Sequence, residues 1–419
     1  MRDRRQRQRW TTGLVAALAC LGATTVVSPA VAADTQKSTR VASDAVSWRA
    51  DLSPIDADDV NVRFAQGELS IRRQDFHAAA TGSEEAYGSQ VLAPEKLDRP
   101  VNRVRAELSA RIPSGARVTV DIRGRADDGS WTEWREVESG AAALPRTVST
   151  VQARLTLQDK DGQTRVRGLR LTADQDPEAR ADRTAGVTAA AFSARVYATR
   201  EGLVGGTTAN GHVIKANDHF VALPSRRGLS PNGSGSYSVQ VCGPARCETA
   251  PVWDVGPWNI HDDYWNPSAT RESFKDLAQG KPEAQAAYEN GYNGGLDGSG
   301  RRVANPAGID LADGTFANIG LSDNGWVTVT YLWTGTAGKT FPTWGTDVLI
   351  RQQATTASPQ VAKLAGPTQV SVQCQVHGQK ITYQGITNDA WSYLPAYGGY
   401  ISNIFIDVAD QWLPGVATC

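Results

Sequence analysis

The sequence predicts a mainly β protein. Apolar and polar residues alternate with a period of two in several runs, which is typical of strands with one buried face. Turn-forming stretches such as "DDGS" at 127–130 and "KDGQ" at 160–163 separate these runs. One short helix is predicted, at residues 282–289.

The first domain, residues 46–173, is predicted to be an N-terminal β-sandwich. In "NRVRAELSARI", residues 102–112, Val104, Ala106 and Leu108 share one face of a strand. Arginine and glutamate occupy the other face. Residues 116–124 and 151–157 repeat this pattern, which half-buried antiparallel strands show.

Two further globular segments follow. Residues 174–192 lack strand periodicity and are rich in Ala, Asp and Arg, so we interpret them as a linker. The second domain, 193–338, alternates strand-like runs with glycine-rich loops. Its turn at 290–301 places only Asp297 as a calcium loop requires, so no metal site is predicted. The short strands of 341–419 predict a small C-terminal barrel.

The N-terminus predicts export from the cell. Five arginines precede the apolar run 13–21, and Ala30-Val31-Ala32 is a small-residue cleavage signal, so residues 1–32 are predicted to be a signal peptide. No later run is long enough to span a membrane. Removing 1–32 leaves 38 basic and 43 acidic residues. This balance argues against nucleic acid as a partner and favours a secreted, extracellular protein.

Four cysteines remain after the signal peptide: Cys242, Cys247, Cys374 and Cys419. An even number outside the cell implies disulfide bonds, and three pairings are possible. Proximity favours Cys242–Cys247 and Cys374–Cys419. The spacing of the first pair does not fit the common zinc sites.

The chemistry depends on carboxylates. The sequence has no metalloprotease, nucleophile-elbow, phosphate-loop or dinucleotide motif, so no cofactor is expected. Asp254 ends the apolar run "APVWD" before Gly256-Pro257, and Asp310 lies between Ile309 and Leu311. Such a pair could act as acid and base in glycosidic cleavage. Alternatively, each aspartate caps a turn or the helix that follows.

Aromatic residues surround the first of these aspartates. The stretch "PVWDVGPWNIHDDYW", residues 251–265, holds Trp253, Trp258, Tyr264 and Trp265. Indole rings offer flat apolar area to the C–H faces of sugars. We therefore predict a saccharide groove in which Trp258 and Trp265 are exposed and Trp253 is partly structural. The adjacent Asp262 and Asp263 are predicted to be turn residues.

Four short stretches occur in a characteristic order: "TANGHVI" at 208–214, "HFVALPS" at 219–225, "DVGP" at 254–257 and "IDLADGTF" at 309–316. Together they resemble the six-stranded double-psi β-barrel of rare-lipoprotein-A-type lytic transglycosylases, expansins and barrel endoglucanases. The resemblance covers about 140 residues, 193–338.

This resemblance implies roles for individual residues. Asp310 matches the general acid of the hydrolytic relatives, Asp254 the aspartate of their D-R-G-P turn, and His219 the histidine near the groove. His212 stands where the family usually carries glutamate and Val255 where it carries arginine. The segment 259–304 is longer than the minimal barrel requires. A changed set of partners could leave a binding groove without catalysis, as in expansins.

The flanking domains carry resemblances of their own. "TDVLIRQQATTASPQVAKL" and "WSYLP" with "GGYISNIFI" are similar to a bacterial Src-homology-3-type (SH3-like) module, which implies binding to cell-wall peptide or glycan. "DDGSWTEWREV" is similar to the β-sandwich modules that precede catalytic domains in secreted actinobacterial wall hydrolases.

Two functions follow as expectations. As an enzyme, the protein would cleave β-1,4-linked wall glycan, with Asp310 as acid and Asp254 as base or as stabiliser of the cationic sugar; a lytic transglycosylase would need the acid alone. As a binding protein, it would be a multivalent adhesin or loosening factor for cell-wall polysaccharide or peptidoglycan, with affinity from Trp258, Tyr264 and Trp265. A secreted protease inhibitor is a third, weaker alternative. A monomer is expected.

Overall fold

The structure, a computed structural model, describes residues 45–77, 85–127, 129–176, 191–335 and 339–419. The predicted signal peptide, and the predicted linker apart from residues 174–176 and 191–192, lie outside these ranges. The protein is mainly β, as the sequence predicts, and contains a closed six-stranded barrel with additional sheets. No helix among the described residues is long and apolar enough to cross a membrane.

Nine strands form the N-terminal sheet: β1 (Val46–Arg49), β2 (Val62–Ala65), β3 (Glu68–Ile71), β4 (Ala86–Val91), β5 (Glu95–Arg111), β6 (Arg117–Arg125), β7 (Arg135–Glu136), β8 (Ala141–Asp159) and β9 (Arg165–Asp174). Their order is β2-β3-β9-β5-β8-β6-β7, with β1 on β9 and β4 on β8. Strands far apart in this order, such as β3 and β6, share one apolar core. The sheet therefore curls around that core.

Six strands close the barrel: β10 (Ser193–Arg200), β11 (Val221–Leu223), β12 (Ser238–Cys242), β13 (Cys247–Val255), β14 (Ala307–Leu311) and β15 (Gly325–Tyr331). Their order is β11-β14-β10-β15-β12-β13, and β13 pairs with β11 to complete the ring. The pairs β10–β14 and β11–β13 are parallel, and the other four are antiparallel. This mixed barrel is compatible with the predicted double-psi type.

Helix α1 (Glu283–Asn290) confirms the helix predicted at 282–289 and lies in the long segment between β13 and β14. It begins after Pro282 and ends at Gly291, whose positive φ of 67° allows the chain to turn away. A second helix, α2 (Asp313–Asn318), directly follows β14.

Eight strands make up the C-terminal part: β16 (Lys339–Pro342), β17 (Val348–Arg351), β18 (Gln360–Leu364), β19 (Gln369–Val372), β20 (Cys374–Tyr383), β21 (Ile386–Leu394), β22 (Gly399–Ser402) and β23 (Ala417–Thr418). Strand β18 pairs with β13, so this part continues the sheet of the barrel. Both predicted disulfides, Cys242–Cys247 and Cys374–Cys419, are present.

The segment between β6 and β7 joins the N-terminal sheet to the barrel. Trp134 is fully buried in the apolar cluster of the barrel, and its indole N–H donates to Leu229 O over 3.1 Å. Glu133 accepts hydrogen bonds from the indoles of Trp265 and Trp333, at 2.6 and 2.8 Å. Glu133 and Trp134, from the stretch that suggested an accessory module, therefore form part of the interior of the barrel.

Candidate functional site

Three adjacent strands bring the two predicted acids together. Ala222 of β11 is aligned with Asp254 of β13 on one side and with Asp310 of β14 on the other. Neighbouring strands lie about 4.8 Å apart, so the Cα atoms of the two aspartates are roughly 10 Å apart. The structure thus brings together Asp254 and Asp310, the two acids that the sequence analysis named as a pair, and their catalytic roles stay a prediction.

Asp310 is half-buried and is the most accessible acid of the site. The Thr199 hydroxyl of β10 donates a hydrogen bond to its Oδ1. Burial raises the pKa of Asp310 to about 7, and the negative charge of Asp254 acts in the same direction. A carboxyl group with such a pKa is partly protonated near neutral pH and can serve as a general acid.

Asp254 is fully buried at the end of β13. Its Oδ1 accepts hydrogen bonds from the backbone N–H groups of Ala209 and Val255, each at 2.8 Å. Burial raises its pKa to about 6, although these two donors stabilise the charged form. Asp254 is therefore the residue that carries negative charge near neutral pH, and it has no free access to water.

Glu201, the third acid, was not identified from the sequence. It is the first residue after β10, it is only 9% exposed, and its backbone N–H donates to Leu311 O. Burial, together with the charges of Asp254 and Asp310, raises its pKa to about 10. The sequence signal for Glu201 was an acidic residue directly after an alternating strand, but no motif distinguished this residue.

The negative charge of the three carboxyl groups is reduced by bound protons and not by basic side chains. None of them forms an ion pair with a basic side chain of the described residues. The Oδ2 of Asp254 and both carboxyl oxygens of Glu201 are buried and have no donor from another side chain. A neutral Glu201 that donates to Asp254 satisfies both groups, whereas two adjacent buried charges would repel each other.

Replacing Glu201 by glutamine should therefore stabilise the protein at neutral pH. The native state keeps the Glu201 proton up to about pH 10, and the unfolded chain loses it near pH 4.5, so the stability of the wild type falls as pH rises between these values. Glutamine donates to Asp254 without this penalty. The advantage of Glu201→Gln should grow by up to about 1.4 kcal/mol per pH unit between about pH 5 and pH 7.

Denaturant unfolding of both proteins across that range measures this difference. Glu289→Gln, in an exposed ion pair with Lys281, is the matched control and should show no such trend. A constant difference between Glu201→Gln and the wild type at all pH values would contradict a protonated Glu201.

His219 takes part in a different cluster and makes no hydrogen bond or ion pair with the two aspartates. Its Nδ1 lies 2.8 Å from Oε1 of Glu248, a fully buried carboxylate that also accepts from Thr315 and Asn318. The ammonium group of Lys363, from β18, lies 3.8 Å from the same carboxylate. His219 thus connects the barrel to the C-terminal strands, which corrects its expected place among the catalytic groups.

His212 and Trp253 pack beside the turn that holds Asp254. Their ring centroids are 4.7 Å apart, and both contact Phe220. The Nε2 of His212 lies 2.6 Å from Oδ2 of Asp218, and the indole of Trp253 donates to Ser234 O over 2.9 Å. Both side chains are half-buried, and these two ring nitrogens already have partners. Only parts of the two rings therefore remain accessible.

Trp258 is half-buried and follows a cis Gly256–Pro257 peptide bond. Its indole donates to Asn305 Oδ1 over 3.0 Å, and its ring packs against the Ala284 and Ala287 side of α1. Trp258 is therefore accessible only in part, and the expectation that it is exposed is too strong.

The expected exposure of Trp265 is wrong, and Tyr264, which was predicted to bind substrate, is equally inaccessible. Both are fully buried in the core of the barrel, where they pack against Tyr331. The Tyr264 hydroxyl donates to Gly308 O, and the Trp265 indole donates to Glu133. The segment 259–304 folds back over the barrel and the N-terminal sheet covers it, so neither ring can offer a face to a ligand.

Asp262 and Asp263 are also more than turn residues. Asp262 forms a fully buried ion pair with Arg271 and accepts from the backbone N–H of Glu283. Asp263 pairs with Arg227 at 2.6 Å. Removal of one partner of such a pair leaves an uncompensated buried charge, so these residues stabilise the inserted segment.

An exposed apolar edge follows Glu201 along the chain. After Glu201 the chain forms a turn, in which Gly205 N–H donates to Ile214 O. Leu203, Val204 and Val213 on this turn are 50%, 58% and 54% exposed. Grouped apolar side chains at this exposure indicate a contact surface. The sequence analysis did not single them out.

Among the described residues, carboxylate oxygens that all lie within 4.8 Å of one another occur at Asp56, Asp58 and Asp59. Asp59 accepts from the backbone N–H groups of Val91 and Asp56, at 2.8 and 3.0 Å. These bonds tie the loop before β2 to β4. The geometry fits a structural cap and by itself indicates no metal.

A family model matches the barrel region of the chain. Residues 192–330 match the model of a family described as "Domain of unknown function (DUF8814)". The match begins next to β10 and ends within β15, so it includes the three carboxyl groups and the inserted segment 259–304. No curated protein matches the chain.

Proposed function

We propose that the protein is a secreted enzyme that cleaves β-1,4-linked cell-wall glycan by the single-acid route of lytic transglycosylases. The observation that carries this proposal is the unequal access of the three carboxyl groups. Asp310 is half-buried, whereas Asp254 is fully buried and Glu201 nearly so. Of these three acids only Asp310 can reach a substrate, and neither Asp254 nor Glu201 can activate a water molecule.

Asp310 acts twice in this reaction. Its carboxylic acid donates a proton to the glycosidic oxygen, and the bond from that oxygen to C1 breaks with its electron pair. A hydroxyl group of the same sugar then attacks C1 and gives its proton to the Asp310 carboxylate. The acid is regenerated, no water is consumed, and the new sugar end carries an intramolecular ether.

The other two acids tune this step. Asp254 supplies negative charge close to the positively charged sugar that forms when the bond breaks, and low local polarity strengthens that interaction. Glu201 holds a proton and fixes the orientation of Asp254. Leu203, Val204 and Val213 offer an apolar edge on which the C–H face of a sugar can rest.

Several observations support the proposal of a secreted cell-wall enzyme. The closed mixed barrel supports the likeness to the double-psi enzymes, and the two disulfides support an extracellular location together with the predicted signal peptide. The C-terminal strands, if SH3-like, would attach the enzyme to the wall.

Product analysis tests the proposal. The purified secreted protein is incubated with insoluble peptidoglycan or cellulose in ¹⁸O-labelled water, and both pelleting and soluble products are measured. We expect peptidoglycan fragments that lack a reducing end and contain no ¹⁸O. Incorporation of ¹⁸O would indicate hydrolysis and exclude the single-acid route. Pelleting without release would indicate an adhesin-like or expansin-like binding protein.

A further inference from the structure

A cavity lies where the N-terminal sheet, the barrel and the C-terminal strands meet. Its volume is about 340 Å³. Its wall combines Trp131 from the N-terminal part, Trp333 from the barrel and Tyr397 from the C-terminal part. Ligand pockets commonly measure about 300–1,000 Å³, so this one fits one or two sugar rings.

The wall has a distinct chemical character. Among the described residues that line it, none is charged, and the polar groups are hydroxyls and amides. Those include Ser193, Ser238, Gln240, Thr330, Gln369 and Ser371. Ser193 and Thr330 bond each other and Ser238 donates to Gly235 O. A charged ligand would find no opposite charge among the described lining residues, and a purely apolar ligand would leave the amides of Gln240 and Gln369 without partners.

Two glutamine side chains have unused hydrogen-bonding capacity. Gln240 of β12 is 9% exposed, and no described residue bonds its amide. The Oε1 of Gln369 of β19 is buried and also lacks a partner. A ligand cannot reach the buried Oε1, but Gln369 and Gln240 both line the cavity, so the Gln369 Nε2 and the Gln240 amide point to a ligand that accepts and donates.

The cavity is separate from the carboxyl groups. Ser193, at its wall, is the first residue of β10, and Thr199, which donates to Asp310, is near the end of that strand. Six residues of strand span roughly 20 Å. A ligand of one or two sugar rings cannot occupy both places.

We propose that this cavity is a binding site for a neutral saccharide unit, with hydroxyl or acetamido groups on Gln240 and Gln369 and its apolar face on the aromatic rings. Aromatic rings and amides are the groups that recognise an uncharged sugar. The proposal does not depend on cleavage at Asp310. A bound sugar would contact all three parts of the protein and stabilise their arrangement.

We test this site with the full secreted protein that carries Asp310→Asn, which prevents cleavage. Calorimetry and thermal shift measure its binding of N-acetylglucosamine, chitobiose and cellobiose. We expect saturable binding that Gln240→Leu and Gln369→Leu each weaken by about tenfold or more. Gln285→Leu on α1, outside the cavity, is the matched control and should bind as the parent does. Thermal unfolding without sugar checks that each variant folds, and the two variants change different strands.

Two results would overturn the proposal. These are no saturable binding of any of the three sugars, and binding that both cavity variants retain. The second result would place the sugar outside this cavity. Absence of glycan cleavage by the wild type would refute the proposed function and leave this test unchanged.

Discussion

Replacing Asp310 by asparagine is expected to lower the rate of glycan cleavage by about 10² to 10⁴-fold, the usual contribution of a general acid. Asparagine has nearly the same shape and can still accept a hydrogen bond from Thr199. It cannot donate a proton of suitable acidity to the glycosidic oxygen. Binding to insoluble wall should persist, since the other surfaces are unchanged.

The same residue should set the pH profile of the wild type. The reaction needs protonated Asp310, so the rate falls as pH rises through about 7. It also benefits from ionised Asp254, so the rate falls as pH drops through about 6. We expect a bell-shaped profile with its maximum between these values, and the two limbs belong to the interacting pair.

Asp313→Asn is the matched control for this experiment. Asp313 lies three residues further along, on α2, and forms an exposed ion pair with Arg200. Its loss removes a neighbouring carboxylate and leaves Glu201, Asp254 and Asp310 in place. An equal loss of rate in both variants, or a rate that increases steadily with pH, would show that Asp310 is not the proton donor.

Replacing Trp134 by alanine is expected to destabilise the protein by about 3–5 kcal/mol, the range for a large buried aromatic residue. Trp134 fills space in the barrel core, and its ring lies 4.3 and 4.5 Å from the guanidinium groups of Arg123 and Arg154. The substitution leaves a cavity and removes the aromatic face from two buried cations. The midpoint of guanidinium denaturation measures the loss.

Two further variants serve as comparisons for Trp134→Ala. Trp134→Phe keeps most of the ring and loses the hydrogen bond to Leu229, so it should cost about 1–2 kcal/mol beyond any cavity effect. Trp326→Ala removes an indole that is 38% exposed and should cost less than Trp134→Ala. If the two alanine variants have equal midpoints, Trp134 does not hold the sheet to the barrel.

Local sequence patterns predicted the secondary structure well. The alternating run at 102–112 lies in β5 up to Arg111, residues 117–124 of the second run lie in β6, and residues 151–157 lie in β8. The reason is that alternation reflects one buried face, which each strand needs wherever the sheet lies. The pair Cys242–Cys247 followed from proximity for a similarly local reason, and Cys374–Cys419 joins the two remaining cysteines.

The site was predicted in part. Asp254 and Asp310 were found because each interrupts an apolar strand, and a charge at such a position needs a special environment. Glu201 was missed because it follows its strand and no spacing links it to Asp310. Only the parallel pairing of β10 with β14 brings these acids together.

Burial of the aromatic residues was decided by tertiary structure. The sequence alone determined a mainly β chain, two disulfides and two candidate acids, Asp254 and Asp310. It could not show that Tyr264 and Trp265 lie inside the core, because indole and phenol rings suit a wet groove and a dry interior equally well. The inserted segment 259–304 and Glu133 of the N-terminal part cover these rings, and only the packing of distant segments reveals that.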